Sequence, residues 1–194
     1  MIIVGIDLAG STKRKTGICI LNNRLIAKTS IVYTNNEIIE LVERVKPDLI
    51  AIDAPLSLPY GRKSLDERCN IHFRECDKML LKMGIKFFPI TLGPMRMLTK
   101  RGIKLKNILE AKGYNVIEVY PGGAQDILDI PRKSHGLNKL KEGLEKLGIK
   151  GICEKVTGDE LDAVTAAYVG YLFLKKKALL LSGRDGCIVM PRYK

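Results

Sequence analysis

Five carboxylates stand where an apolar run of the chain begins or ends, and together they could bind a metal ion. Three close short apolar runs (Asp7, Asp53 and Glu118), and two begin a longer one (Asp159 and Asp162). An acid at the end of a strand points into the crevice where open α/β sheets bind ligands. Acids that converge there repel one another, so they persist mainly when a hard cation neutralises them. The pattern predicts a metal site for phosphate chemistry.

Each acid also has a structural interpretation. Asp159, near a predicted helix start, is suited to capping that helix or complementing its dipole. Asp53, before Ala-Pro, could end its strand through turn chemistry. Glu118 is followed by two further strand residues, so its side chain could point to either face of the sheet. Asp7 follows four apolar residues and is the hardest to explain by structure alone. We therefore expect Asp7, Asp53 and Asp162 to be the core of the site.

The turn between the first two predicted strands, residues 9–17, could bind phosphate. Its small and hydroxyl residues allow backbone N–H groups to approach an anion, and its basic residues supply charge. It lacks the Gly-Lys-Ser/Thr ending of a P-loop, and an exposed basic hairpin is the alternative interpretation. Arg74 could also form a surface pair with Asp77, three residues on. The predicted substrate-binding residues are Ser11, Thr12, Lys13, Arg14, Lys15, Arg62 and Arg74.

Composition is compatible with a nucleic-acid partner. Lys and Arg number 33 against 21 acids, for a net charge of +12 in 194 residues. Such an excess favours polyanions, although a lysine-rich solvated surface is an equal alternative. No apolar run reaches the roughly 20 residues of a membrane span. Five scattered cysteines and the absence of a signal-peptide pattern predict a cytoplasmic protein without disulfides or membrane partner. The length suits a single domain, residues 1–194.

Periodicity and turn signals predict the elements that must position these residues. Strands are expected over residues 2–8, 16–21, 24–33, 49–53 and 114–120, with a tail strand over 186–190. Helices are expected after Thr34, over about 64–84 and 94–112, after Ser134, and over about 158–177.

The order of these elements resembles the ribonuclease H-like fold, and five motifs resemble the DUF429 family of predicted ribonuclease H-fold nucleases. The motifs are Gly-Ile-Asp7-Leu-Ala-Gly-Ser, Ala-Ile-Asp53-Ala-Pro-Leu-Ser-Leu-Pro, Arg74-Glu-Cys-Asp77, Ile-Glu118-Val-Tyr-Pro and Asp159-Glu-Leu-Asp162-Ala. They keep the family's order over nearly the whole chain, which is more specific than any one motif.

The resemblance implies a mixed five-stranded sheet flanked by helices, with a helical insertion at about residues 54–113 between strands 4 and 5. It places Asp53 beside Asp7 in parallel strands and packs the helix of Asp159 and Asp162 across them. These four acids would hold Mg²⁺ or Mn²⁺, with Glu118 assisting, for metal-dependent cleavage of nucleic acid. Resemblance to Holliday-junction resolvases makes a homodimer conceivable.

Two other classes of function stay open. The turn Asp7-Leu-Ala-Gly-Ser resembles the phosphate loop of actin-like ATPases and sugar kinases, which suggests a nucleotide-binding phosphotransferase or ATPase. Those proteins duplicate the core and need roughly twice this length for an interdomain cleft. The third class is a non-catalytic nucleic-acid binder whose acids are structural.

Overall fold

The computed structural model describes residues 1–192, in which seven strands form one mixed sheet. The strands are β1 Ile2–Asp7, β2 Thr16–Asn22, β3 Ala27–Val32, β4 Leu49–Asp53, β5 Val116–Val119, β6 Ala178–Gly183 and β7 Gly186–Pro191. Their order across the sheet is β3-β2-β1-β4-β5-β7-β6. The strands β1, β4, β5 and β7 are mutually parallel, and the two hairpins β2–β3 and β6–β7 complete the edges.

The predicted count of five strands is wrong, because a hairpin at the end of the chain extends the sheet. The preceding helix stops at Leu174, earlier than expected, and Lys176 takes a left-handed conformation with φ of 58°. The chain then reverses and forms β6, which the sequence pattern did not predict, before a tight turn leads into β7.

Six α-helices surround the sheet in the described part of the chain: α1 Asn35–Val45, α2 Glu75–Lys82, α3 Gly93–Ala111, α4 Pro121–Ile127, α5 Leu137–Lys146 and α6 Gly158–Leu174. Thr34 caps α1 as predicted, in a reciprocal arrangement with Glu37. Between β4 and β5 lie α2 and α3, so a helical segment follows β4, but α2 is much shorter than the predicted helix.

The reason for the short α2 is the segment before it, which folds around the Arg62 side chain. The guanidinium of Arg62 donates hydrogen bonds to five backbone carbonyls, those of Ser64, Leu65, Glu67, Cys69 and Ile71. Because these carbonyls are satisfied by the arginine, the segment has no need of helical hydrogen bonds.

Helix α6 covers one face of the central strands, and two glycines allow its unusually close approach. A Cβ atom at Gly5 in β1 would lie 2.1 Å from the carbonyl oxygen of Ala163, and one at Gly17 in β2 would lie 2.0 Å from that of Asp159. The other face packs against α1 and α3 through a cluster that includes Ile6 and Ile52. The first two turns of α6 are thereby held against the carboxyl end of β1.

Candidate metal centre

The sheet itself brings Asp7 and Asp53 together. They are direct neighbours at the carboxyl ends of the parallel strands β1 and β4. Adjacent strands lie about 4.8 Å apart, and paired residues of parallel strands point to the same face. That face is the one covered by α6, since Gly5 lies two residues before Asp7 and contacts this helix. The pairing agrees with the arrangement that the family resemblance implies.

Helix α6 supplies the next two acids. Its N-terminus is capped by Thr157 and Glu160 in a reciprocal pair of hydrogen bonds, so the capping role considered for Asp159 is filled by other residues. Asp159 and Asp162 lie three residues apart, on the side of the helix that faces the end of β1. Their carboxylates are therefore available to the crevice.

Three of the four acids converge on the ammonium group of Lys133, which sits on a short 3₁₀ turn, Lys133–His135. Its Nζ atom is 2.7 Å from Oδ2 of Asp162 and 3.6 Å from Oδ2 of Asp7. The distance to Oδ1 of Asp159 is also 3.6 Å. Nothing in the sequence pattern singled out this lysine, yet it is the cation of the site.

One ammonium does not neutralise the cluster. Burial, with the neighbouring Asp162 and Asp159, raises the pKa of Asp7 to about 7 even though Lys133 acts to lower it. Burial and then Asp7 raise the pKa of Asp53 well above its ordinary value. Burial lowers the pKa of Lys133, but the attraction of Asp7 and Asp162 outweighs it and leaves that pKa raised. The site therefore has more acid than its internal cation can balance.

Gln125 in α4 fixes the orientation of Asp162. Its side-chain amide donates to Oδ1 of Asp162 at 2.8 Å and to the hydroxyl of Thr165 at 3.1 Å. The side chain is 1% exposed, so both contacts are shielded from water. The chain has no other glutamine, but a single polar residue in a short helix gave no signal from sequence that it would reach α6.

Glu118 does not join the other acids. In the β4–β5 register it pairs with Ile52, whereas Asp53 pairs with Val119, so its side chain leaves the opposite face of the sheet. There it receives two hydrogen bonds of 2.6 Å from the guanidinium of Arg74 and one of 2.7 Å from the backbone N–H of Leu56. Glu118 thus holds the segment that follows β4.

The structure gives Arg62 and Arg74 internal partners. Arg74 is 1% exposed, and Asp77, Ser57 and Glu118 together engage all its N–H groups. The pair with Asp77 is buried, not on the surface. Arg62 is equally occupied by the five carbonyls described above. Neither side chain has a free donor for a substrate phosphate.

The basic turn lies beside the acids, as its place between β1 and β2 requires. Residues 12–15 are exposed, and a cavity of about 720 Å³ is lined by turn residues (Ser11, Lys13, Arg14 and Lys15) together with Asp7, Asp159 and Lys133. Thr12 is exposed without lining it. The cavity is thus lined by acidic and basic side chains together, which suits a phosphate group held against a cation.

Arg101 in α3 ties this turn to the helical segment. Its guanidinium donates to the carbonyl oxygens of Ala9 at 2.7 Å and Ser11 at 3.3 Å, and to that of Tyr33 at 2.7 Å. It also reaches the Asn35 side chain at 2.8 Å. The base of the turn is therefore fixed, while the basic side chains at its tip remain free to contact a ligand.

The chemistry of the donor set fits a hard divalent cation. All four acids offer oxygen ligands, which Mg²⁺ and Mn²⁺ prefer. Within residues 1–192, however, no three acidic, histidine or cysteine side chains are placed so that they could hold a metal ion together, and binding would require the acids to move closer to one another. In the same range, no helix is long and apolar enough to cross a membrane.

Comparison with known proteins identifies the fold. No family model matches the chain, so its resemblance to DUF429 stays a prediction. No curated protein matches it either. Among solved structures, RuvC from Thermus thermophilus aligns with a TM-score of 0.51 at 13% identity, covering 96% of this chain and 99% of that one. T. thermophilus RuvC in complex with a Holliday junction substrate aligns with a TM-score of 0.50 at 14% identity and the same coverage. The chain therefore has a mixed α/β fold like that of RuvC.

Proposed function

We propose that this protein is a metal-dependent nuclease that hydrolyses phosphodiester bonds of nucleic acid. The observation that carries the proposal is the convergence of Asp7, Asp159 and Asp162 within 3.6 Å of one ammonium group, with Asp53 in register beside Asp7. Four carboxylates at one end of a sheet are costly unless they bind a cation. The adjacent basic cavity supplies a place for the phosphate of a substrate.

Mg²⁺ or Mn²⁺ would be held by Asp7, Asp53 and Asp162, with Asp159 at the more exposed edge of the group. When bound, such an ion supplies an activated water and stabilises the departing oxygen of a phosphodiester. Gln125 keeps Asp162 in one orientation, so that the carboxylate need not reorganise when it binds. Glu118 contributes indirectly, because it anchors Leu56, three residues after Asp53.

The basic turn would bind the substrate backbone. Lys13, Arg14 and Lys15 line the cavity next to the acids, and the net charge of +12 favours a polyanion. Because the fold resembles that of RuvC, which has been solved with a Holliday junction substrate, branched DNA is the first substrate to test. Contacts of this kind make binding strongly dependent on salt concentration.

The test compares the wild-type protein with Asp7→Asn. End-labelled single-stranded DNA, duplex DNA, a four-way DNA junction and an RNA–DNA hybrid are incubated with Mg²⁺, Mn²⁺ or EDTA. We expect cleavage of at least one substrate with metal, none with EDTA, and loss of cleavage in Asp7→Asn. Glu40→Gln, which removes an exposed acid of α1, is the matched control and should behave as wild type.

Circular dichroism separates loss of chemistry from loss of folding in Asp7→Asn, since replacing a carboxylate by an amide changes little in shape. Full metal-dependent cleavage by a folded Asp7→Asn variant would overturn the proposed site. Absence of cleavage of all four substrates by the wild-type protein, with tight binding that EDTA does not affect, would favour a non-catalytic nucleic-acid binder instead.

A further inference from the structure

Lys133 supplies the positive charge that allows the acidic side chains to lie close together in the folded protein. It comes from the 3₁₀ turn between α4 and α5, not from the sheet or α6. Within residues 1–192, it is the basic side chain that forms ion pairs with Asp7, Asp159 and Asp162. Its own side chain is 44% exposed, so it reaches the acids from the solvent side.

Both carboxylate oxygens of Asp162 already have a partner in the structure. Oδ1 accepts the hydrogen bond from Gln125, which is buried and cannot turn away without losing its partner. Oδ2 accepts the ammonium of Lys133 at 2.7 Å. A metal ion that binds through Oδ2 must therefore take the position next to the carboxylate that Lys133 now holds. An ammonium and a divalent ion at such a short separation also repel each other.

We propose that Lys133 is an exchangeable internal cation: it offsets part of the negative charge of the acids in the metal-free protein and withdraws when a divalent ion binds. This inference rests on the proposed metal site. In this role the ammonium of Lys133 competes with the divalent ion for the carboxylates. The lysine therefore lowers the affinity of the metal-free protein for the ion.

The local structure permits the withdrawal. Residues 133–136 are all exposed, and the turn ends at Gly136, whose φ of 119° is a conformation that other residues rarely adopt. Lys133 also lines the same cavity as Lys13 and Lys15. Rotation about its flexible side-chain bonds can move the ammonium from the acids into this cavity. There it would join the basic turn as a contact for substrate phosphate.

The experiment is a Mn²⁺ titration of the metal-free protein at pH 8, with free Mn²⁺ measured by electron paramagnetic resonance. Lys133→Met is compared with Lys133→Arg, which keeps the charge, and with Lys139→Met, which removes an exposed lysine six residues away. We expect Lys133→Met to bind Mn²⁺ at least about tenfold more tightly than wild type, because the ion no longer displaces a cation. Lys133→Arg and Lys139→Met should stay close to wild type.

A second readout uses thermal unfolding in EDTA. Without metal, Lys133→Met should melt at a lower temperature than Lys139→Met, because the acids have lost their counter-ion, and Mn²⁺ should remove the difference. Circular dichroism establishes that the variant is folded. If Lys133→Met is not folded, Lys133→Gln, which keeps a hydrogen-bond donor towards Asp162, replaces it in both measurements.

The outcomes separate this inference from the proposed function. Equal or weaker Mn²⁺ binding by folded Lys133→Met, with clear binding by wild type, overturns the competitive role and leaves the metal site intact. Binding by Lys133→Met but not by wild type supports the inference in its strongest form. No binding by either protein overturns both the inference and the metal dependence of the proposed function.

Discussion

The close packing of α6 against the sheet depends on the absence of a side chain at Gly5. This dependence gives a specific prediction. In Gly5→Ala, the new Cβ would stand 2.1 Å from the carbonyl oxygen of Ala163 and 2.5 Å from the backbone nitrogen of Ala167. Both are backbone atoms of a helix, which cannot rotate aside as a side chain can. Relief of the contact requires α6 and β1 to separate by about 1 Å, and we expect a loss of about 3 kcal/mol in the free energy of unfolding.

The same displacement should weaken the metal site. Asp159 and Asp162 are carried by α6 and Asp7 by β1, so a separation of the two elements moves the ligands apart. Misplacement of catalytic groups by about 1 Å can lower a rate roughly 100-fold. Cleavage is therefore compared at a temperature where Gly5→Ala stays folded. There we expect the variant to cleave much more slowly than wild type, by more than any small unfolded fraction could explain.

Urea unfolding followed by circular dichroism, and cleavage rates at saturating Mg²⁺, measure the two effects. Gly93→Ala is the matched control, because a Cβ at Gly93 meets nothing within 4 Å and lies at the start of α3. It should change stability by less than about 1 kcal/mol. If Gly5→Ala unfolds within about 0.5 kcal/mol of wild type and cleaves at the same rate, the close approach of α6 does not position the site.

Three further predictions concern the supporting groups. Arg74→Met should lower the free energy of unfolding in urea by about 3–5 kcal/mol, since two buried carboxylates lose their partner; a loss below about 1 kcal/mol would contradict this. Gln125→Leu should weaken Mn²⁺ binding about 10- to 100-fold by freeing Asp162, whereas unchanged affinity would show that the amide is dispensable. In EDTA, the free energy of unfolding should decrease as the pH rises from 5 to 8. The reason is that the pKa of Asp7 is about 7 in the folded protein, compared with 3.8 for an ordinary aspartate. The folded state binds that proton more tightly, so Asp7→Asn should reduce the loss of stability between pH 5 and pH 8 by about 3 kcal/mol at most, the value of the roughly two pH units below the folded pKa; an unchanged loss in Asp7→Asn would contradict this.

Local signals in the sequence were sufficient for much of the fold. The apolar run before Asp7 predicts β1, and Thr34-Asn35-Asn36 predicts the start of α1. Once β1 and β4 are parallel neighbours, the acids that end them meet, because the carboxyl ends of parallel strands share an edge of the sheet. These features depend on a few consecutive residues or on one pairing, which is why sequence reasoning reaches them.

Features that depend on exact register or on distant packing could not be predicted. The face to which Glu118 points follows from the β4–β5 register, and a shift of one residue would reverse it. Lys133 is one of 33 basic residues, and its contact with Asp7 spans most of the chain. The strand β6 follows three lysines and pairs only with the end of the chain. For Glu118 and Lys133 the decisive partner lies far away in sequence, whereas β6 pairs with the neighbouring β7.

The two groups of acids in this protein differ most in the cation that balances them. Glu118 and Asp77 are held by Arg74, whose planar guanidinium binds both from a buried position with every donor engaged. A metal ion cannot readily replace this arginine, because its departure would leave two carboxylate charges buried without a partner or water. Asp7 and Asp162 are balanced by a lysine on an exposed turn, through a flexible side chain that can leave. The type and exposure of the counter-ion, more than the acids themselves, therefore distinguish a carboxylate that is permanently structural from one that is available to a metal ion.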